Sequence, residues 1–223
     1  MQNSGILTFL PIVAMVVVLV LFVFSLAQHH SIFPDSWFPS RLASAFMILF
    51  CIWILCELAN LGWSRKNSGT ANKDKGSFRV VVAASWASIF AIFIFRSLDI
   101  GVFGGNLQYL GFILFAAGIV LREWSVWVLG KHFTVQVQIR ENAKLVTWGP
   151  YSHIRHPSYT GSLFIVMGIS LAVGTVFGAF LAFGLTWIAH EYRIRIEEEA
   201  LQAAFGSEWD EYKKRTWKLI PGF

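Results

Sequence analysis

The sequence predicts an all-α, polytopic transmembrane helical protein, and three observations carry that expectation. Of 223 residues, 56% are hydrophobic and only 14% charged, against about 25% charged in ordinary soluble domains. Apolar runs near spanning length recur along the chain. Phe and Trp are abundant, at 21 and 10 residues, as expected where aromatic side chains collect at bilayer interfaces.

The runs give four N-terminal spans. Ile6–Ala27 is the first. No basic region precedes it and it is too long for a signal-peptide core, so it reads as a retained span. Leu42–Leu61 is the second, interrupted by Glu57. A carboxylate at that depth needs a partner or a proton, and a core hydrogen bond is the plainer reading than catalysis. Val80–Phe95 is the third; Leu107–Leu121 opens the fourth, which continues to Leu129 through Arg122 and Glu123.

Ser162–Ala189 is a 28-residue charge-free run, longer than the roughly 20 residues of one crossing and shorter than the roughly 40 of two. One crossing would put the following tail on the far side. A helical hairpin turning near Gly174–Gly178 would return it, with legs borrowing length from Pro157 onward and out to about Phe205. Glycines 168, 174, 178 and 184 would let the legs approach. The hairpin is favoured because the tail from Glu191 carries six Lys/Arg and seven Asp/Glu, which is costly to translocate.

Lys and Arg in short loops set the orientation. Residues 62–79 carry Arg65, Lys66, Lys73, Lys75 and Arg79, and residues 130–160 carry Lys131, Arg140, Lys144 and Arg155. Both loops, and with them the N-terminus, are expected on the cytoplasmic side. The net charge of +5 fits loops against anionic lipid. There is no interleaved basic and aromatic surface of the kind that binds nucleic acid. Cys51 and Cys56 sit in an apolar run and read as packing residues rather than a metal cage or disulfide framework. Phosphate-loop, dinucleotide and nucleophile-elbow motifs are missing, and Gly101, Gly104 and Gly105 read as turn residues.

Against this background Gly149–Gly161, GPYSHIRHPSYTG, is unusual: polar, stiff and aromatic beside the apolar run. Pro157 suits the first position of a helix, placing His156 and Tyr159 at a helix N-terminus where an anionic group could sit. His153 and His156, three apart, raise a zinc site, but no second His or Cys pair supports it. In the tail, Arg193 and Glu197 share a helical face, as do Arg195 and Glu199. These pairs read either as a solvated helix start or as a site in which an interfacial Arg holds a carboxylate or phosphate.

The segments Leu145–Gly161 and Arg193–Arg215, flanking a hydrophobic hairpin, closely resemble isoprenylcysteine carboxyl methyltransferases and the wider membrane methyltransferases that include the phospholipid methyltransferases. The resemblance covers roughly Lys131–Phe223 and rests on an RHPxYxG and an EExxLxxxFGxxxxxY pattern. It implies residues 1–129 as N-terminal transmembrane helices and 130–223 as a methyltransferase core with a cytosolic cofactor pocket. The implied cofactor is S-adenosyl-L-methionine, leaving as S-adenosyl-L-homocysteine. Its contacts fall on Gln138 (or Gln136), Ala143, Lys144, Leu145, Val146, Tyr151, His156, Pro157, Ser158, Tyr159 and Glu197. Arg193 is implied as the substrate-carboxylate and catalytic residue, with Glu197 its catalytic companion. The implied acceptor is an isoprenylated cysteine entering from membrane lipid, and no metal is called for.

A carboxylate acceptor needs no general base, so positioning in a dry pocket suffices. A same-fold enzyme acting on a phospholipid amine or other small lipophilic nucleophile is the main alternative. A non-enzymatic membrane scaffold or transporter leaves the two charged segments unexplained.

Overall fold

The computed structural model describes residues 37–38, 42–67, 74–137 and 144–222. The expected first span, Ile6–Ala27, lies outside them, as do Gln138 and Ala143. Regular structure among the described residues is helical, with two isolated β-bridges. Six α-helices follow in order: α1 (Leu42–Asn67), α2 (Ser77–Ser97), α3 (Asn106–Leu129), α4 (Pro157–Val173), α5 (Val176–Phe205) and α6 (Ser207–Lys214). Three stretches are long and apolar enough to cross a membrane: Leu42–Ser64, Ser77–Ser97 and Asn106–His132. They extend the expected second to fourth spans by a turn or less at most ends, because polar flanks continue the helices past the apolar runs.

The 28-residue charge-free run divides into α4 and α5 at Gly174–Thr175. Gly174 takes the left-handed conformation (φ 81°), where a side chain would be strained, and its N–H closes the end of α4 on Ser170 and Leu171. Thr175 then caps α5 through the Gly178 N–H. Helix α4 begins at Pro157, with His156 as its N-cap residue.

The glycines serve a different contact from the one expected. Gly111 and Gly118 of α3 face Gly161 and Gly168 of α4, each pair about two turns apart. A Cβ on Gly168 would lie 2.3 Å from the Phe115 nitrogen, and one on Gly118 2.7 Å from the Ile165 nitrogen. The close seam is therefore α3 against α4. Gly184, expected to join α4 to α5, has open space around it. Helix α5 instead packs mainly along α2, where the Ser88 hydroxyl donates to the Ala182 carbonyl at 3.1 Å. Beyond α5, the chain end returns to the α4 entrance: Arg155 N–H donates to Trp217 O at 2.8 Å, and Trp217 N–H to His153 O at 2.8 Å.

An aromatic cluster of Phe46, Phe50, Trp53, Phe112 and Phe115 fills the space between α1 and α3. Among the described residues α1 and α2 make few contacts with each other. Side chains of Phe50, Trp53, Phe78 and Trp86 line the space between them.

Candidate active site

A single cavity of about 400 Å³ joins the GPYSHIRHPSYTG loop, the start of the tail and the inner faces of α1 and α2. Among the residues carried over from the family resemblance, Lys144, Leu145, Val146, Tyr151, His156, Ser158, Tyr159, Arg193 and Glu197 all line it, as does Gln136. Pro157 does not; it starts α4 behind the wall.

Tyr159 is the junction between loop and tail. Its hydroxyl donates to Glu197 Oε2 at 2.7 Å and accepts from Arg193 Nε at 2.7 Å. Residues one turn apart on α5 are thus bridged through a tyrosine of α4, rather than paired directly as their spacing suggested. Among the described residues Glu197 Oε1 has no hydrogen-bond partner. The other expected pair also separates: Arg195 bonds Glu191 at 3.3 Å, and Glu199 bonds Lys75 at 2.8 Å.

Arg193 is buried and heavily engaged. Nη1 donates to Asp74 Oδ1 at 3.0 Å and to the Ser77 hydroxyl at 3.1 Å, while Nη2 donates to the Val135 carbonyl at 2.7 Å. Four of its five N–H groups are therefore occupied, one of them on Tyr159. The two-pronged grip on a carboxylate anticipated from the sequence has no room in this geometry; one Nη2 hydrogen remains. Asp74 in turn accepts the Phe78 N–H at 3.0 Å at the start of α2 and the Val137 N–H at 3.2 Å. Burial alone would raise the pKa of Asp74, but these N–H groups, Ser77 and Arg193 outweigh it and hold the carboxyl below its usual value.

Other residues of the motif tie the loop to the tail. His156 Nε2 lies 3.0 Å from Glu198 Oε1, and Arg155 Nε donates to the same oxygen at 3.2 Å. Arg155 Nη1 also reaches the Thr216 carbonyl. Burial works to raise the Glu198 pKa, yet His156 and Arg155 bring it down to about 2. Tyr212 donates to the Tyr151 carbonyl at 2.7 Å, and burial pushes its phenol up to about 12. His153 faces outward and bonds Ser152 at 2.7 Å. The two histidines thus have separate partners, and no group of three or more His, Cys, Asp or Glu side chains is poised for a metal among the described residues.

Glu57 has a partner that sequence reasoning missed. Arg122 binds both of its oxygens through Nε and Nη2, while Nη1 donates to Ser158 at 2.9 Å and Ser162 at 3.1 Å. The pair lines the cavity. Two opposite charges inside apolar helices were a usable signal, because each needs a counterion there. Asp74 offered no such signal, since it lies in an ordinary polar loop.

Residues 107–208 match the phospholipid methyltransferase family. Curated relatives include a protein-S-isoprenylcysteine O-methyltransferase of Dictyostelium discoideum, 35% identical over 121 residues, with 52% of this chain and 50% of the relative covered. Another, protein-S-isoprenylcysteine O-methyltransferase B of Arabidopsis thaliana, is 33% identical over 113 residues, covering 50% and 57%. Over about half of its length the chain is thus similar to protein-S-isoprenylcysteine O-methyltransferases and to the phospholipid methyltransferase family. The chain spans about half the length of the curated relatives it matches. A solved eukaryotic intramembrane Ras methyltransferase, an isoprenylcysteine carboxyl methyltransferase, superposes with a TM-score of 0.54 at 19% identity, covering 99% of this chain and 87% of that one. The described helices α1–α3, generic in sequence, therefore share a fold with that structure.

Proposed function

We propose that this chain transfers the methyl group of S-adenosyl-L-methionine to the α-carboxylate of a farnesyl- or geranylgeranyl-cysteine, giving a methyl ester and S-adenosyl-L-homocysteine. The observation that carries this reading is the single cavity, polar and aromatic where loop meets tail and apolar between α1 and α2. The acceptor has the same division, an ionised head on a long hydrocarbon.

The polar end fits the cofactor. Glu197 Oε1 is available to a cationic ligand, and Tyr151, Phe205, Trp209 and Tyr212 supply aromatic walls for a flat heterocycle. Trp209 Nε1 is buried without a protein partner, a donor suited to a ring nitrogen. Gln138 or Gln136, with Ala143, Lys144, Leu145, Val146, His156, Pro157, Ser158 and Tyr159, complete the proposed contacts. When bound, the sulfonium supplies an electrophilic methyl group. The chain's own work is placement: Glu197 orients the cofactor, and Arg193 holds the acceptor carboxylate with its remaining Nη2 hydrogen. No proton need be removed. Alignment in a water-poor site can contribute about 7–11 kcal/mol.

In this reading α4 and α5 form a hairpin entering and leaving on the cytoplasmic side, so that pocket and termini face the cytoplasm, as the Lys and Arg distribution suggests. The acceptor reaches the cavity from the bilayer between α1 and α2. The catalytic core is residues 130–223, leaning on α2 and α3.

The family match is also to phospholipid methyltransferases, which keeps a phospholipid amine as the second reading. Purified protein given labelled S-adenosylmethionine, N-acetyl-S-farnesylcysteine and phosphatidylethanolamine decides between them. Base-labile methyl ester on the first is the expected product; label on the amine alone would move the assignment to the second.

A further inference from the structure

Residue His190 has no part in the reading above, yet its position is unusual. It is 2% exposed, and neither ring nitrogen has a hydrogen-bond partner among the described residues. A buried polar group left unmade costs about 1–3 kcal/mol, and such groups are rare enough to need a reason. The ring lies in the cavity wall, 4.9 Å from the ring of Tyr159. Around it stand Arg122, Arg193 and His156. It sits on α5 one turn after Thr186, another wall residue, and one turn before Arg193. His190 therefore occupies the point where the apolar part of the cavity gives way to the polar part.

We infer that His190 recognises the acceptor's anionic head, its imidazole N–H donating to a carboxylate oxygen beside Arg193. This rests on the proposed carboxyl methylation and names a further residue of that site. The Arg122 and Arg193 guanidiniums nearby favour an anion there and disfavour an amine, which would be protonated at neutral pH. In either tautomer the imidazole keeps an N–H to donate. Both nitrogens are buried, so offering one to the acceptor takes a rotation of the ring about its broad terminal torsion. That rotation gains a hydrogen bond that the ring otherwise lacks. With Arg193 limited to one free N–H, a second donor also supplies the other oxygen of the carboxylate.

The test is binding to the full chain in lipid nanodiscs, which needs no turnover. The probes are N-acetyl-S-farnesylcysteine, its neutral methyl ester and S-adenosylhomocysteine. His190→Leu is expected to weaken the carboxylate probe about tenfold or more, the scale of a hydrogen bond to a charged group. Binding of the ester and of S-adenosylhomocysteine should change less than about twofold. His190→Gln, which keeps an N–H, should recover most of the loss. A merely structural histidine would give the opposite stability signature: His190→Leu removes an unpartnered buried polar group and should raise the melting temperature while harming binding. Unchanged carboxylate binding in His190→Leu overturns the inference, as does equal loss for ester and carboxylate, or a lowered melting temperature. If wild type binds the carboxylate probe through His190 but transfers no methyl to it, the proposed function fails and this inference stands. If wild type methylates the probe and His190 variants bind it normally, the reverse holds.

Discussion

Two ends of one cavity are held by different forces. At the polar end Arg193, Asp74, Tyr159, Glu198 and Arg155 connect segments far apart in sequence through directed hydrogen bonds and ion pairs. At the apolar end Phe50, Trp53, Phe78 and Trp86 shape the space mainly by packing, with a directed bond from Trp53 Nε1 to Glu57 Oε1 at 3.3 Å. The polar end should therefore be brittle, failing when one partner is removed. The apolar end should be graded, with each truncation changing binding by its lost contact. This difference suits a fixed cofactor and a flexible hydrocarbon.

The largest expected effect comes from unpairing the buried guanidinium. Asp74→Ala leaves Arg193 charged and buried, and should cost about 3–5 kcal/mol in reversible unfolding. Arg193→Ala is expected to abolish turnover and, by the same argument, to destabilise the fold, so Arg193→Lys is the cleaner probe of catalysis. If Asp74→Ala unfolds like wild type, the network does not hold the polar end.

A step smaller is the α3–α4 seam beneath both ends. Gly168→Ala pushes a methyl to 2.3 Å from the Phe115 nitrogen and should cost about 1–3 kcal/mol through forced backbone movement. Ile113→Ala on the lipid-facing side of α3, 65% exposed, should stay within about 0.5 kcal/mol. Equal effects would mean the helices do not approach as closely as described.

The Glu198 clamp predicts a pH dependence. Its folded pKa of about 2 lies below the unfolded value of 4.5. The carboxylate's contribution is therefore fully present above about pH 4.5 and is lost as pH falls toward 2. Glu198→Gln should be less stable than wild type at neutral pH, with the gap closing over that window. A gap that stays constant down to pH 2 would remove the clamp from the account. The smallest effect is at the apolar end: Trp86→Ala should weaken a farnesyl ligand several-fold through lost apolar contact, and should destabilise the fold less than Asp74→Ala because Trp86 is only partly buried against the core.

How much of this was readable from the sequence follows the same division. Helix ends were legible wherever a residue type enforces them, as at Pro157 and Gly174. The loop and tail were legible because GPYSHIRHPSYTG and the Glu197–Glu199 run break an apolar pattern. What stayed hidden depends on partners distant in the chain. Asp74 is 119 residues from Arg193, and nothing near it announces the pairing. The glycines were recognised as close-packing residues but assigned to the wrong neighbour, since spacing along one helix does not say which helix it meets. Arg155 was readable only as one of the loop cations; its bonds to Glu198 and to the Thr216 carbonyl join residues 43 and 61 positions away. His190 carried no sequence signal, because a histidine at a helix exit is ordinary until its nitrogens prove unpartnered.

The central claim is that one cavity holds a cofactor at its polar end and a prenyl lipid at its apolar end simultaneously. Calorimetric titration of the full chain with S-adenosylhomocysteine, before and after saturation with N-acetyl-S-farnesylcysteine, tests it directly. The account predicts that both bind together, with Glu197→Gln weakening only the first ligand and Trp86→Ala only the second. Mutual exclusion of the two ligands, or equal weakening of both by either substitution, would contradict it.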